Sequence, residues 1–222
     1  MTKAKEKANQ IQFDNYSVNP GILGPYTTHI WKTDPKHLAF LFSRYKFCSK
    51  LLSGKKEVLE IGCGDACGSP IVAHAVEKVN CTDWEPLLMD DNKKRLKDFK
   101  NINFSLLDIT ESPFNRKCDA VFSLDVIEHI KPDMEHNFFE NICKSLKDDG
   151  LCIIGTPNIE AHKYASLGSR EAHVNLKSYT DFQKILSKYF KNGFIFSMND
   201  EVVHTGFYPL AHYLIAVGIG IK

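Results

Sequence analysis

The stretch VLEIGCGDACGSP, residues 58–70, gathers residue types that bind ligands. An apolar run ends in Glu60 and gives way to Gly62 and Gly64. Glycines so placed permit positive φ and let the backbone come close to a ligand. Ser69 and Pro70 then read as the cap and first residue of a short helix, whose free N–H groups attract an anion or a carboxylate. Asp83 stands nineteen residues beyond Gly64, at the end of the next apolar run. In nucleotide-binding folds an acid there accepts hydrogen bonds from ribose hydroxyls. Two details separate the ligand classes. A dinucleotide fingerprint places a third glycine three residues after the second, where this chain has Cys67. Glu60 beside the turn opposes a pyrophosphate and suits a ligand with a positive amine. The residues therefore favour a nucleoside carrying an amino-acid-like cation over a dinucleotide.

These groups need strand ends to hold them. EVLEI, KVNCTDW, INFSLLDI, DAVFSLDVI and GLCIIGTP read as five strands, with helical patterns in PLLMDDNKKRLKDF, HNFFENICKSLK and SYTDFQKILSKYF. GFIFSMND and YPLAHYLIAVGI are late strands close enough in sequence to pair antiparallel. Ahead of them, Asp34 and Pro35 start a helix with Leu38, Leu41, Phe42, Tyr45, Cys48 and Leu52 on one face, ending near Gly54. The alternation predicts an α/β fold: a doubly wound sheet, mostly parallel with an antiparallel C-terminal strand, helices on both faces and an N-terminal helical lid. Residues 1–54 form the tail and lid and residues 55–222 the ligand-binding part of a single domain. In such sheets ligands sit outside the carboxyl ends of the strands, where the motifs fall.

VLEIGCG, TDWEPLLM, LLDIT and CDAVFSLDVIEHI resemble, in order and spacing, the successive motifs of class I S-adenosylmethionine-dependent methyltransferases. The resemblance runs from about Lys55 to Pro157 and implies a Rossmann-like fold with S-adenosyl-L-methionine as cofactor. It implies that Glu60, Gly62, Cys63 and Gly64 surround the methionine part. Asp83 would hold the ribose, with Trp84 covering the adenine. Asp108 would meet the adenine amino group, beside Ile109. Ser123, Leu124 and Asp125 would line the methionine side near the transferred methyl. Where the family often has a third glycine, this chain has Ala66.

Methyl transfer to a hydroxyl usually needs a base, whereas an amine or thiolate needs none as strong. His129 follows the fourth strand and either faces the site or caps a local turn. His173 lies in the segment that commonly covers the acceptor in this family; it is a base or an exposed loop histidine. His204, between the late strands, reaches the cavity or closes a hairpin. Asp125 orients cofactor, binds an acceptor amine, or is structural. The irregular aromatic segment GPYTTHIWKTDP is a lid bringing Tyr26, His29 and Trp31 to acceptor or cofactor, or a surface wrap. Arg44 faces ligand or water, and KKRLK at 93–97 reads as a solvated helix face. No His/Cys/Asp cluster shows metal-ligand spacing, so no metal is expected.

Composition limits the partners. Net charge is +1 over 222 residues, so bulk charge advertises neither nucleic acid nor an anionic membrane. The longest apolar run, YLIAVGIGI, is too short to span a bilayer, and MTKAKEKANQIQ lacks the apolar core of a secretory signal, reading instead as a solvated tail. Seven cysteines without a Cys-x-x-Cys pair read as buried thiols in a reducing cytoplasm. The expected function is a cytoplasmic methyltransferase acting on a small-molecule acceptor. The alternatives are sulfonium chemistry releasing methylthioadenosine, or a non-catalytic cofactor-binding partner subunit. Acceptor identity and oligomeric state are not legible.

Overall fold

Val58 and Leu59 are neighbours in sequence, and each is completely buried, in clusters on opposite faces of one sheet. Side chains alternate along a strand, so a strand apolar on both sides needs cover on both faces. The computed structural model describes residues 4–18 and 21–222. Residues 1–3 of the expected tail, and residues 19 and 20 of the glycine- and proline-punctuated stretch, lie outside the described residues. The strands are β1 (Glu57–Ile61), β2 (Lys78–Asp83), β3 (Ile102–Leu106), β4 (Cys118–Leu124), β5 (Leu146–Pro157), β6 (Phe190–Asn199), β7 (Val202–His204) and β8 (Tyr213–Ile221). They form one sheet in the order β3-β2-β1-β4-β5-β8-β6-β7. The first five run parallel. β6 and β8 pair antiparallel, as expected. The sequence did not show that β8 inserts between β5 and β6, pairing antiparallel with both.

One face is covered by α3 (Lys36–Leu51), α4 (Ser69–Ala73) and α5 (Pro86–Arg95), through Tyr45, Cys48, Val72, Leu88 and Met89. The other is covered by α6 (Glu135–Ser145) and α8 (Tyr179–Tyr189), through Phe138, Phe139, Ile142, Phe182 and Leu186. α8 opens with a reciprocal capping box between Ser178 and Asp181. The sheet reverses its winding between β1 and β4, and ligands of open α/β sheets bind at such a switch point.

The N-terminal region differs from the sequence reading. The tail contains a helix, α1 (Lys7–Val18), whose residues 7–16 are almost entirely exposed. The segment expected to be irregular is helical, α2 (Pro25–Thr33), with proline in its first turn. Asp34 closes α2 by donating its N–H to the Ile30 carbonyl, and makes no side-chain cap for α3. β7 and a short helix, α7 (Leu167–Ala172), were not foreseen. Among the described residues no helix is long and apolar enough to cross a membrane. The seven cysteines are free.

Candidate active site

Gly62 and Gly64 follow β1 with φ of 71° and 54°. A Cβ on Gly62 would lie 2.3 Å from Cγ2 of Val126, which follows β4. The two strand ends therefore meet at the switch point only because Gly62 has no side chain. Ala66 also has positive φ, 52°, so the loop keeps its left-handed bend where the family's glycine is missing. The N–H groups of Gly62 and Cys63 both donate to the Thr82 carbonyl, and that of Gly64 donates to Asp83 Oδ2 at 2.9 Å. The other Asp83 oxygen accepts the Glu85 N–H. Asp83 thus ties the end of β2 to the glycine loop. A carboxylate oxygen has lone pairs beyond those bonds, so Asp83 can still accept from a ligand hydroxyl.

Further supports of this loop were invisible in sequence. The Asp65 carboxylate accepts the Thr27 N–H at 2.7 Å and the Thr27 hydroxyl at 2.9 Å. Asp65 so supplies the missing side-chain cap of α2, whose own cap residue, Gly24, has none. Asn92 donates to the Gly64 carbonyl. Arg95 donates to the Asp65 carbonyl and pairs with Asp91. The KKRLK run is thus not uniformly solvated: Lys93, Lys94 and Lys97 are exposed, whereas Arg95 braces the loop.

Glu60 has a different task from the one expected. It is 1 % exposed, and its carboxylate accepts hydrogen bonds from the Tyr45 hydroxyl (2.9 Å), the Ser69 hydroxyl (2.6 Å) and the Cys81 thiol (3.1 Å). Burial pushes its carboxyl above the usual range, while these donors oppose the rise. Glu60 locks β1, α3 and α4 together rather than facing a ligand amine. The side chains of Cys63, Ile109, Ser123 and Leu124 are also buried, which leaves only their backbone to face the crevice. Ile109 packs with Phe138 and Phe139, and the Ser123 hydroxyl donates to the Ile61 carbonyl. Asp108 turns one oxygen onto the N–H and hydroxyl of Thr110. Trp84 is 76 % exposed beyond β2, where an aromatic face is free for stacking.

A second group gathers at the ends of β4 and β5. Asp125 has φ of 57°, an uncommon conformation for a residue with a side chain. Arg44 of α3 holds both its oxygens, at 2.7 and 2.9 Å, while the guanidinium lies 3.8 Å over the Tyr213 ring. Arg44 therefore answers to Asp125, not to water. Glu128 is buried; one oxygen accepts the Thr156 hydroxyl at 2.9 Å. Burial and the nearby Asp125 charge push its carboxyl up to about 8. The His129 and His173 rings meet edge to face, with centroids 5.0 Å apart. Burial and His129 together hold the His173 imidazole below its ordinary value.

The structure thus brings Asp125, Glu128, His129 and His173 together and leaves other candidates apart. His204 lies on β7, one nitrogen paired with Asn199 Oδ1 and the other accepting the Gly206 N–H, so it closes a hairpin. Tyr26 is the nearest side chain above Gly64; His29 and Trp31 are exposed on the same helix. The sequence shows no His/Cys/Asp cluster with ligand spacing, yet the fold brings donor atoms of Glu128, His129 and His173 within 4.8 Å of one another. Local spacing could not reveal a set drawn from two distant segments.

Residues 59–154 match the family model described as a methyltransferase domain. Over that stretch, less than half of the 222 residues, the chain is similar to methyltransferase domains. A curated relative, the probable S-adenosylmethionine-dependent methyltransferase Rv3030 of Mycobacterium tuberculosis (strain ATCC 25618 / H37Rv), is 25 % identical over 104 residues. That match covers 46 % of this chain and spans only 36 % of the relative. Two solved structures share the methyltransferase fold. The methyltransferase domain of bacterial CtHen1-C has a TM-score of 0.68 at 18 % identity, covering 82 % of this chain and 99 % of that one. The N-methyltransferase NodS of Bradyrhizobium japonicum WM9 has a TM-score of 0.61 at 15 % identity, covering 86 % and 99 %. The methyltransferase fold accounts for the five parallel strands and the glycine loop. The Arg44–Asp125 and Glu128–His129–His173 groups gather at the ends of its β4 and β5.

Proposed function

We propose that this domain binds S-adenosylmethionine across the ends of β1, β2 and β4 and transfers its methyl to a small-molecule acceptor in the cytoplasm. The observation that carries the reading is Asp83, a nearly buried acid bonded to the N–H of Gly64, at the lip of a left-handed glycine loop. The residues fit the cofactor: Gly62 and Gly64 leave room for backbone approach, Asp83 keeps lone pairs for ribose hydroxyls, and Trp84 offers a free aromatic face for adenine. When bound, the cofactor supplies the electrophilic methyl carbon. The protein orients it, and alignment is worth roughly 7–11 kcal/mol of barrier. Tyr26 above Gly64 and the remainder of α2 are read as the cover that excludes water. Asp125, Glu128, His129 and His173 are read as the acceptor side. Free thiols support a reducing compartment, and a net charge of +1 supports a small acceptor.

The test combines binding and product analysis. S-adenosylhomocysteine should bind in calorimetry, and Asp83→Ala should weaken binding by about 1–3 kcal/mol through lost charge-assisted hydrogen bonds. Unchanged affinity would sink the assignment. Incubated with S-adenosylmethionine and fractionated metabolites, the protein should release S-adenosylhomocysteine. Methylthioadenosine, or activity only on RNA, would replace the reading.

A further inference from the structure

We propose that Glu128, His129 and His173 form a binding site for a divalent transition-metal ion at the acceptor end of the crevice. The three side chains each offer one donor atom, all mutually within 4.8 Å. Metal–nitrogen and metal–oxygen bonds of about 2.0–2.2 Å place neighbouring tetrahedral donors roughly 3.3–3.5 Å apart, so closure needs shifts of about an ångström. His129 is exposed and His173 half-buried just beyond α7, so both rings can make that shift.

Three features point at a cation independently of the clustering. Glu128 Oε1 is buried without a hydrogen-bond partner, although Oε2 is satisfied by Thr156. A carboxyl oxygen left without a partner in a nearly dry place, 1 % exposed as a residue, is costly, and a cation that displaces the carboxyl proton would supply the partner it lacks. His129 Nδ1 lies 3.2 Å from the Ala172 carbonyl, which can only accept, so Nδ1 carries the proton and Nε2 keeps its lone pair. Such an outer hydrogen bond from the non-ligating nitrogen is how proteins orient metal-binding histidines. Finally, the N–H groups of Val174 and Asn175 both donate to the Glu128 carbonyl. These bonds staple the His173 segment onto the turn that carries the other two ligands. Asn175 is held in turn by Glu135 and Lys177.

Two imidazoles and one carboxylate suit zinc, cobalt, manganese or iron(II) better than calcium, which prefers all-oxygen shells. Three protein ligands leave a position open for water or a ligand oxygen. On the methyl-transfer reading, on which this last step rests, that position faces the acceptor. An acceptor bearing a hydroxyl is then its natural occupant.

The test uses the full chain, stripped with a chelator and titrated with cobalt(II) by calorimetry and visible absorption. The expected result is one ion per chain with nitrogen and oxygen ligation. His129→Ala and His173→Ala should each weaken it by more than the roughly 10–100-fold that loss of an outer partner costs. His37→Ala, an exposed histidine elsewhere, should leave it unchanged. An absence of binding, a thiolate charge-transfer band, or parent-like affinity in both histidine variants would overturn the site. S-adenosylhomocysteine binding is measured separately on the same proteins. Cobalt failing while the nucleoside binds removes the metal site alone; the reverse removes the cofactor reading alone.

Discussion

The two halves of the crevice are built on opposite terms. Around the glycine loop every acid has protein partners: Glu60 has three donors, Asp83 two backbone N–H groups, and Asp65 the Thr27 N–H and hydroxyl. At the ends of β4 and β5 the balance reverses. Arg44 Nε, Glu128 Oε1, His162 Nδ1 and Tyr213 Oη are buried without partners, and they are the buried orphans found among the described residues. Leaving a buried polar atom unsatisfied costs about 1–3 kcal/mol. The glycine-loop half is therefore completed by the protein itself, while the other half keeps polar capacity, which under the proposed function an acceptor would meet.

Mutations can break or sharpen the contrast. The largest effect should come from Gly62→Ala. A left-handed alanine costs roughly 1–2 kcal/mol, and forcing a methyl against Val126 adds about 1–3 kcal/mol. Thermal unfolding should show the loss together with weakened cofactor binding; a melting curve like the parent's would mean that the strand ends are not locked at this point.

Glu60→Gln comes next. An amide in place of the carboxylate turns a donor toward donors, at about 1–3 kcal/mol in urea unfolding. The pH dependence has a definite sign. Burial raises the folded Glu60 carboxyl above its ordinary value of 4.5, so above that pH the unfolded chain loses a proton that the folded chain keeps. Stability should fall as pH rises through that window, and Glu60→Gln should flatten the slope. A slope unchanged by the substitution would show that Glu60 is not the group responsible.

Arg44→Met probes the other half and should cost less, about 1 kcal/mol, because Asp125 is 31 % exposed and water can replace the guanidinium. Its signature should lie in acceptor turnover, with S-adenosylhomocysteine affinity nearly preserved. Equal losses in both would erase the distinction between the halves. The smallest change is favourable. Ala66→Gly relieves a left-handed alanine worth roughly 1–2 kcal/mol and surrenders about 0.5–1 kcal/mol of chain entropy. A gain of about 0.5–1 kcal/mol in unfolding free energy is expected, and a loss would mean that the Ala66 methyl is needed in the core it occupies.

Much of this was legible beforehand. EVLEI is a strand over residues 57–61 as expected, and the acids fall at strand ends. Alternation, turn residues and caps are local signals, and the parallel sheet follows from them. The local signals misled where a distant group intervened. GPYTTHIWKTDP looked irregular because its cap, Asp65, lies 38 residues away. Arg95 looked solvated because its main-chain partner is 30 residues off. Glu60 looked free because Tyr45, which helps sheath it, belongs to α3.

The sequence by itself determined most of the strands and the helices that cover them, the glycine bend after β1, and that Asp83 and Asp125 end strands at one edge. Periodicity and glycine placement depend on near neighbours, so they can be read along the chain. Only the tertiary structure decided which polar groups are spent on the fold and which remain. Tyr45 meets Glu60 across 15 residues, and Arg44 meets Asp125 across 81. His129 and His173 meet from separate segments because two backbone bonds to the Glu128 carbonyl draw the later one in. A hydrogen bond needs its partners within about 3 Å, and no pattern of residue types along a chain specifies that distance.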